Sequence, residues 1–266
     1  MFKDSPILLK ATQPDLELCE KIRWFRQQPG CNWADRQDAL GTLPELKISR
    51  HGVKLMQGPE SISFHPNMAL IRAINILRGA ADRFLTATQL SSGDILIDAT
   101  LGFGSDALIA ALAVGEGGRV LGLEKSPILA ALIKDGLQHI TQGRSKANTE
   151  HKKKAWEALA EAASRIAVYW ADHSEFLRSM GSKSVDVVYF DPMFRSTLRQ
   201  SDSIQPLHKW SEHSPLARET VLEACRTARK RVVLKERKNS GEFERLGFKI
   251  LSGGRYSSID YGVILV

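Results

Sequence analysis

Carboxylates stand at or just after the ends of several apolar runs in this sequence. Asp98, Glu124, Asp172 and Asp191 occupy these positions. A carboxylate accepts hydrogen bonds from hydroxyl and amino groups and attracts positive charge. If the apolar runs are neighbouring parallel strands, their carboxyl ends border one crevice, where ligands of such sheets bind. The pattern therefore predicts an acidic site for a polar or cationic ligand.

A glycine-rich segment, Asp98–Ala107 with the sequence DATLGFGSDA, follows the first of these runs. Gly102 and Gly104 allow the backbone to turn tightly and to approach a ligand closely. The segment lies between a predicted strand and a predicted helix, which is the context that a nucleotide-binding turn requires. Glu124 comes twenty residues after Gly104, where an acid can accept hydrogen bonds from both hydroxyls of a ribose. The predicted ligand is a nucleoside-containing cofactor.

The same segment fits two cofactors, because Gly102, Gly104 and Ala107 also match the dinucleotide fingerprint. A pyrophosphate would sit at the N-terminus of the following helix, where Asp106 would repel it, and Asp98 adds a second negative charge nearby. S-adenosylmethionine has no phosphate and carries a sulfonium and an ammonium group, which carboxylates attract. The charges therefore favour S-adenosylmethionine over NAD. Asp106 also suits the first turn of the helix, and the two roles are compatible.

Asp172 and His173 follow the third apolar run of this part of the chain. Asp172 can accept a hydrogen bond from the amino group of an adenine, and His173 can contact the ring. Asp172 is equally suited to be the N-cap of a helix, and the sequence does not choose between the two roles.

The motif Asp191-Pro192-Met193-Phe194 follows the fourth run. A carboxylate at the end of a buried strand is costly unless it acts on something, and Pro192 stiffens the turn that aims it. The amino group of a nucleobase is a weak nucleophile because its lone pair is delocalised into the ring. Asp191 can accept one of its N–H bonds and hold the nitrogen in line with a methyl group, and Phe194 can stack on the base. We predict that Asp191 and Phe194 are catalytic and that Pro192, Met193 and Arg195 contact the substrate.

From residue 94 onward, apolar runs alternate with helical patterns, as in a doubly wound parallel α/β sheet with right-handed crossovers. The predicted strands are 95–97, 119–123, 167–170, 185–190, 231–235, 248–252 and 259–266. The predicted helices are 107–114, 127–139, 155–165 and 214–229, with a loop over 141–154. The last two strands are predicted to form a hairpin around Gly253-Gly254, which places an antiparallel strand in a Rossmann-like seven-stranded sheet.

Residues 1–90 lack the regular alternation of apolar runs and helical patterns that begins at residue 94. We predict a small N-terminal α/β extension there, which contributes to substrate recognition, and a cofactor-binding domain over 91–266. Apolar spacing predicts helices over 15–27 and 68–84. Two short runs predict a hairpin around His51-Gly52.

Composition places the chain among globular proteins, because 43% of its residues are hydrophobic and 25% are charged, which excludes a disordered or collagen-like chain. The three cysteines form no CxxC pair and predict neither a zinc site nor a disulfide framework. No apolar stretch reaches the roughly 20 residues of a membrane span, and no signal peptide is visible, so we expect a cytoplasmic protein. The net charge of +7 fits either a polyanionic partner or an ordinary basic surface.

These motifs resemble those of class I S-adenosylmethionine-dependent methyltransferases. Asp191–Phe194 is similar to the Asp/Asn-Pro-Pro-Tyr/Phe motif of members that methylate amino groups, with Met193 at the second proline. A more specific resemblance is to the ribosomal small-subunit RNA methyltransferase J family, which makes N2-methylguanine in ribosomal RNA. The similar segments are 98–107, 123–127, 130–137, 187–194 and 231–235. The resemblance implies that the cofactor is lined by Ser105, Asp106, Glu124, Lys125, Asp172, His173 and Asp191.

The sequence departs from that family at Ser105, where arginine is usual, and at Arg195, where proline is usual, and residues 1–90 show no convincing match. The predicted function is methyl transfer to an amino group of RNA, without a metal because the sulfonium is already an activated donor. Basic residues that can hold RNA phosphates are Lys152–Lys154, Arg195, Arg199, Arg226, Arg229, Lys230, Arg231, Lys235, Arg237 and Lys238. A methyltransferase for DNA or a small molecule, a non-catalytic cofactor-binding factor and an NAD oxidoreductase stay open.

Overall fold

The computed structural model describes residues 6–11, 15–34, 43–142, 148–192, 215–251 and 257–266. Within these residues the strands form two sheets, the N-terminal sheet and the main sheet. The N-terminal sheet contains β1 (Ile7–Ala11), β2 (Trp33–Ala34), β3 (Glu45–Ser49), β4 (Gly52–Gln57) and β5 (Glu60–Ile62), in the order β2-β1-β3-β4-β5. The helices of this part are α1 (Leu16–Arg26), α2 (Asn67–Leu77) and α3 (Arg83–Thr88).

The N-terminal sheet buries one face through the alternation of its side chains. Leu46 and Ile48 on β3 and Leu55 on β4 are buried, and they belong to the same core as Phe25 of α1. β3 and β4 form the predicted antiparallel hairpin, with Ser49 opposite Gly52. Apolar residues at every second position of two short runs, joined by a turn that contains glycine, are the sequence pattern of such a hairpin.

The structure contradicts the predicted single helix over 68–84, since α2 ends and α3 begins within that range. Gly79 has a φ of +84°, a left-handed conformation that stops α2. The Asp82 carboxylate then caps α3 by accepting a hydrogen bond from Leu85 N at 3.2 Å. The helical spacing of apolar residues continues across the break, so the sequence pattern predicted one helix although Gly79 and Asp82 mark a helix end and a helix start.

The main sheet contains β6 (Ile95–Asp98), β7 (Arg119–Glu124), β8 (Ile166–Trp170), β9 (Val185–Phe190), β10 (Ala228–Arg237), β11 (Lys249–Leu251) and β12 (Ile259–Leu265), in the order β11-β12-β10-β9-β6-β7-β8. Its helices are α4 (Ser105–Val114), α5 (Pro127–Gln138), α6 (Glu150–Ala163), α7 (His173–Ser179), α8 (Arg218–Thr227) and α9 (Glu242–Leu246). Strands β6 to β10 run parallel, and β12 is antiparallel to both of its neighbours. This arrangement confirms the predicted doubly wound sheet.

Both faces of the central strands of the main sheet are covered. Leu96 and Val187 pack on one face, and Ile97 and Val188 pack on the other. This two-sided burial explains why β6 and β9 read as continuous apolar runs rather than as alternating ones.

Several predicted boundaries differ from the structure. α4 begins at Ser105, before the predicted 107, and β10 runs from Ala228 to Arg237, beyond the predicted 231–235. α6 begins at Glu150, inside the predicted loop over 141–154, because the Thr149 hydroxyl caps the helix by accepting a hydrogen bond from Lys152 N. The helix predicted over 214–229 is α8, which begins at Arg218; residue 214 itself lies outside the described residues. The predicted Gly253-Gly254 turn also lies outside them. Across the described ranges, no helix combines the length and apolarity needed to cross a membrane.

Candidate functional site

The glycine turn lies between β6 and α4, as the sequence predicts. Gly102 and Gly104 have φ values of +50° and +71°, which a side chain would strain. Leu101 N donates to Leu123 O at 3.0 Å, which ties the turn to β7. Ser105 is the first residue of α4 and is half-buried. The turn therefore lies at the carboxyl edge of the main sheet, and no side chain covers its backbone at Gly102 or Gly104.

Asp98 ends β6 and is 1% exposed. Its Oδ1 accepts a hydrogen bond from Thr100 N at 3.2 Å. Burial raises the pKa of Asp98 well above the ordinary value of 3.8, and the charges of Asp106 and Asp191 raise that pKa further. A positive charge bound beside Asp98 would lower that pKa and favour the ionised form.

Asp106, in the first turn of α4, is held by three donors. It accepts hydrogen bonds from Arg72 Nη1 at 2.5 Å, the Tyr189 hydroxyl at 2.8 Å and Lys235 Nζ at 3.1 Å. Burial alone would raise the pKa of Asp106, but Lys235 and Arg72 outweigh burial and hold that pKa below its usual range. The protein itself therefore offsets much of this charge. The structure therefore weakens the repulsion of a pyrophosphate that the sequence assigned to Asp106.

Asp191 follows β9 and is linked to Asp106 through one shared cation. Lys235 Nζ lies 2.6 Å from Asp191 Oδ2, and Asp191 N donates to Thr100 Oγ1 at 2.6 Å. About a quarter of the Asp191 side chain is exposed, at 27%. Burial raises the pKa of Asp191, and Lys235 opposes that rise. Asp191 is thus a partly accessible carboxylate with its backbone and one oxygen held in place.

Sequence reasoning missed Lys235, Arg72 and Tyr189 as members of this cluster. It assigned Lys235 to an RNA-binding surface, yet that lysine binds two carboxylates at the carboxyl edge of the sheet. Its position near the end of an apolar strand, like the positions of the acids, was an available signal. Arg72 carried no such signal, because only the packing of α2 brings it to Asp106.

A second group of site residues lies at the ends of β7 and β8. Glu124 is almost buried, and its Oε1 accepts a hydrogen bond from Ser126 N at 2.8 Å. Lys125 Nζ lies 2.8 Å from Asp172 Oδ2. Asp172 also caps α7 by accepting a hydrogen bond from Ser174 N at 2.9 Å. Asp172 therefore does cap a helix, which was one of its two predicted roles. Its ion pair with Lys125 joins the ends of β7 and β8.

Burial alone would raise the pKa of Asp172, but the Lys125 ammonium and the backbone donors of α7 outweigh it and lower that pKa. His173 packs edge-to-face on Phe190, with ring centroids 5.9 Å apart. Pro192 is half-buried directly after Asp191. The remaining predicted substrate contacts, Met193, Phe194 and Arg195, lie outside the described residues.

Much of the basic run that was predicted to hold RNA is bound within the chain. Arg226 donates to Leu177 O and Met180 O, each at 2.9 Å. Arg229 donates to Lys183 O at 2.8 Å, and Lys230 Nζ lies 2.6 Å from Asp94 Oδ1. These side chains brace the edge of the main sheet opposite the acidic cluster, since they contact the segments that precede β6 and β9.

The cluster fits a ligand with positive charge. Within the described residues, Arg72 and Lys235 bind three acids, Asp82, Asp106 and Asp191, and Asp98 lies beside them without an ion pair to either cation. The glycine turn gives open backbone beside this negative group, and Glu124 stands at the next strand end. These carboxylates can accept hydrogen bonds from the ribose of S-adenosylmethionine and attract its sulfonium and ammonium groups.

Comparison with known proteins gives a family model, described as "Putative SAM-dependent methyltransferase", that matches residues 64–246. A Bacillus subtilis protein named "Uncharacterized protein YpiP" is 42% identical over 201 residues, which cover 76% of this chain and 73% of that protein. The ribosomal RNA small subunit methyltransferase J of Acinetobacter baumannii is 36% identical over 110 residues, 41% of this chain. That match spans only 34% of the relative, about a third of its length.

A crystal structure of a SAM-dependent methyltransferase from Neisseria gonorrhoeae shares the fold. The TM-score is 0.59 at 19% sequence identity, and the alignment covers 98% of this chain and 96% of that one. The likeness therefore extends over both sheets.

Proposed function

This chain belongs to the S-adenosylmethionine-dependent methyltransferase family, and from that membership we propose that it methylates an exocyclic amino group of a nucleobase in RNA. The class I assignment and the cofactor predicted from the sequence are confirmed by the family and the fold. The proposed target is N2 of guanine in small-subunit ribosomal RNA. The matched segment of relatives named for methylating that RNA supports small-subunit ribosomal RNA as the substrate, and the choice of guanine N2 rests on the family resemblance of the motifs.

When bound, S-adenosylmethionine supplies an electrophilic methyl group on its sulfonium. In our proposal, Glu124 accepts hydrogen bonds from the ribose hydroxyls, and Asp98 with Asp106 attracts the cationic end. Gly102, Gly104 and Ser105 allow close approach of the backbone. Lys125, Asp172 and His173 border the adenine side at the ends of β7 and β8, where the ion pair of Lys125 with Asp172 fixes both side chains.

Asp191 is proposed to act on the amino group of the base. Lys235 occupies Oδ2, so Oδ1 is the oxygen that accepts an N–H bond of the amine. This hydrogen bond orients the nitrogen lone pair toward the methyl carbon. As the new C–N bond forms, the bond between the methyl carbon and sulfur breaks with its electron pair going to sulfur, and the Asp191 carboxylate receives the proton that the nitrogen loses. Phe194 is proposed to stack on the base, with Pro192, Met193 and Arg195 beside it.

The observation that carries this proposal is the position of Asp191. Its carboxylate is partly exposed at the carboxyl edge of β9, next to the strand that carries Asp98 and the glycine turn. A neutral nitrogen nucleophile needs a proton acceptor and accurate alignment with the methyl carbon. Thr100 binds the backbone of Asp191 and Lys235 binds its Oδ2, so the carboxylate is fixed in place for these two tasks.

The test is incubation with labelled S-adenosylmethionine and total RNA from a strain that lacks this protein, followed by nucleoside analysis. We expect label in N2-methylguanine of small-subunit RNA. Asp191→Ala should lower the rate by at least about 100-fold, while S-adenosylhomocysteine still binds in calorimetry. Glu219→Gln, at an exposed carboxylate of α8, is the matched control and should keep full activity. Label found only in DNA or small metabolites would refute the RNA substrate, and an active Asp191→Ala variant would remove Asp191 from the mechanism.

A further inference from the structure

Three lysines lie side by side across the N-terminal sheet. Lys10 on β1 is directly opposite Lys47 on β3, and Lys47 is directly opposite Lys54 on β4. Residues in register on adjacent strands point to the same face. This lysine row therefore spans three neighbouring strands, or about 10 Å at the usual spacing between strands.

The lysine row faces away from the hydrophobic core. Leu46, Ile48 and Leu55 alternate with the lysines and are buried on the other face. Lys47 and Lys54 are exposed, and the side chain of Lys10 is 43% exposed. The row is therefore accessible to a partner from solvent.

Stability of the sheet does not explain this arrangement. Like charges directly opposite each other in a sheet are destabilising, and lysine is a poor strand former. Lysines do protect the edges of sheets against aggregation. This accounts for Lys10 and Lys54, because β2 pairs with β1 only at Ile7 and Leu8 and β5 pairs with β4 only from Leu55 onward. It does not account for Lys47, which is paired on both sides. Glu45 pairs with Lys10 and lies 3.8 Å from Lys47, which offsets one of the three charges.

The N-terminal sheet is attached beside the carboxyl edge of the main sheet, where the cofactor residues lie. The turn before β2 rests on the end of β8, because a methyl group added at Gly30 would lie 2.4 Å from the Trp170 ring. Trp170 Nε1 in turn donates to Lys125 O at 3.2 Å. The chain between β5 and α2 packs on α5 through Phe64, which closely contacts Gly136.

We propose that the lysine row binds the phosphate backbone of the substrate RNA and so holds the RNA on the molecule while a base reaches Asp191. This inference rests on the proposed function, because it takes RNA as the substrate. Lysine ammonium groups contact phosphates without reading sequence, and each contact adds to the salt dependence of binding. The main-sheet basic run is largely bound within the chain, whereas the lysine row is a charged surface that stays open to solvent.

The test compares Lys47→Gln/Lys54→Gln with a control, Lys183→Asn/Lys249→Gln, that removes the same charge. Lys183 and Lys249 are exposed and lie at the amino-terminal ends of β9 and β11, away from the cofactor edge. Binding of small-subunit RNA is measured over a salt series, and methyl transfer is measured on the same RNA. We expect the row variant to bind roughly tenfold more weakly at low salt, with the slope of log K against log salt reduced by about 2.

Three further readouts complete the test. Binding of S-adenosylhomocysteine should not change, and the melting temperature of the row variant should not fall, because removal of opposed like charges relieves repulsion. Methyl transfer gives the third readout: because phosphate contacts hold the RNA without touching the reacting base, the row variant should raise KM for RNA and leave kcat unchanged. An unchanged KM for RNA would overturn the assignment.

The outcomes separate the two proposals. If the wild type methylates RNA and the row variant binds RNA like the control, the lysine row is excluded while the function stands. If the wild type binds RNA through the row but methylates no RNA, the proposed function is excluded while the row stands. If the wild type neither binds nor methylates RNA, both proposals are wrong.

Discussion

At the scale of single residues, the site depends on one lysine shared by two carboxylates. Lys235 Nζ lies 2.6 Å from Asp191 and 3.1 Å from Asp106. Burial alone would lower the pKa of Lys235, but the two carboxylates outweigh it and raise that pKa above the usual range. Lys235 is therefore charged at every pH of interest, and its charge opposes the upward shift in the pKa of Asp191.

The first prediction concerns Lys235→Gln. Without the cation, burial and the charge of Asp106 raise the pKa of Asp191 further. A carboxylate that must be ionised loses activity as the pH falls through its pKa, so a higher pKa moves this loss to higher pH. The acidic limb of kcat/KM against pH should shift upward in the variant, with methyl transfer to RNA as the assay.

Lys249→Gln is the control for that experiment, because Lys249 is an exposed lysine on β11, outside the acidic cluster. Its pH profile should match the wild type. A Lys235→Gln variant with lower activity but an unshifted acidic limb would show that Lys235 does not govern the ionisation of Asp191.

At the scale of the elements, close packing decides positions where helix propensity would predict the opposite. Gly136 lies inside α5, where alanine is normally favoured over glycine by about 1 kcal/mol. A methyl group added there would lie 2.1 Å from Cγ and 2.4 Å from Cβ of Phe64. The glycine is therefore required by the segment that follows the N-terminal sheet and packs on this helix.

We expect Gly136→Ala to destabilise the protein by about 1–3 kcal/mol, the usual cost of overpacking, although propensity alone predicts a gain. Urea denaturation measures the change in the free energy of unfolding. In a Phe64→Ala background the further loss caused by Gly136→Ala should be smaller, since alanine lacks the Cγ and Cδ1 atoms that the added methyl group would meet. A single variant as stable as the wild type would contradict the close contact.

At the scale of the whole molecule, the two sheets are joined by a buried ion pair as well as by apolar packing. Lys21 of α1 lies 3.0 Å from Asp135 of α5, and their side chains are 14% and 7% exposed. His139 Nδ1 lies 3.2 Å from the same carboxylate. Residues from both parts form one continuous hydrophobic core, including Phe25, Leu46 and Leu132. The N-terminal part is therefore docked as part of the folded unit.

Lys21→Met should reduce stability by about 3 kcal/mol, because it leaves Asp135 buried without its main cation. Limited proteolysis should then cleave the N-terminal part faster than in the wild type. The double variant Lys21→Met/Asp135→Leu should recover most of the loss, because it removes the uncompensated charge. If the double variant is as unstable as the single one, the ion pair is not what holds the interface.

The sequence by itself determined the features that are local in the chain. The strand–turn–helix around Gly102 and Gly104, the apolar strands and the acids that end them follow from backbone preference and from burial on two faces, which short segments encode. The doubly wound sheet follows from the alternation of such segments. The hairpin around His51-Gly52 was predictable for the same reason.

The tertiary structure alone decided which charges meet. Arg72, Asp106, Lys235 and Asp191 come from four separate elements, and their hydrogen bonds depend on how α2 packs and how β9 aligns with β10. The break between α2 and α3 lies where Arg72 and Leu85 bind Asp82. The lysine row likewise exists only through strand register, because contacts between residues far apart in the chain are set by packing of the whole domain and not by local preference.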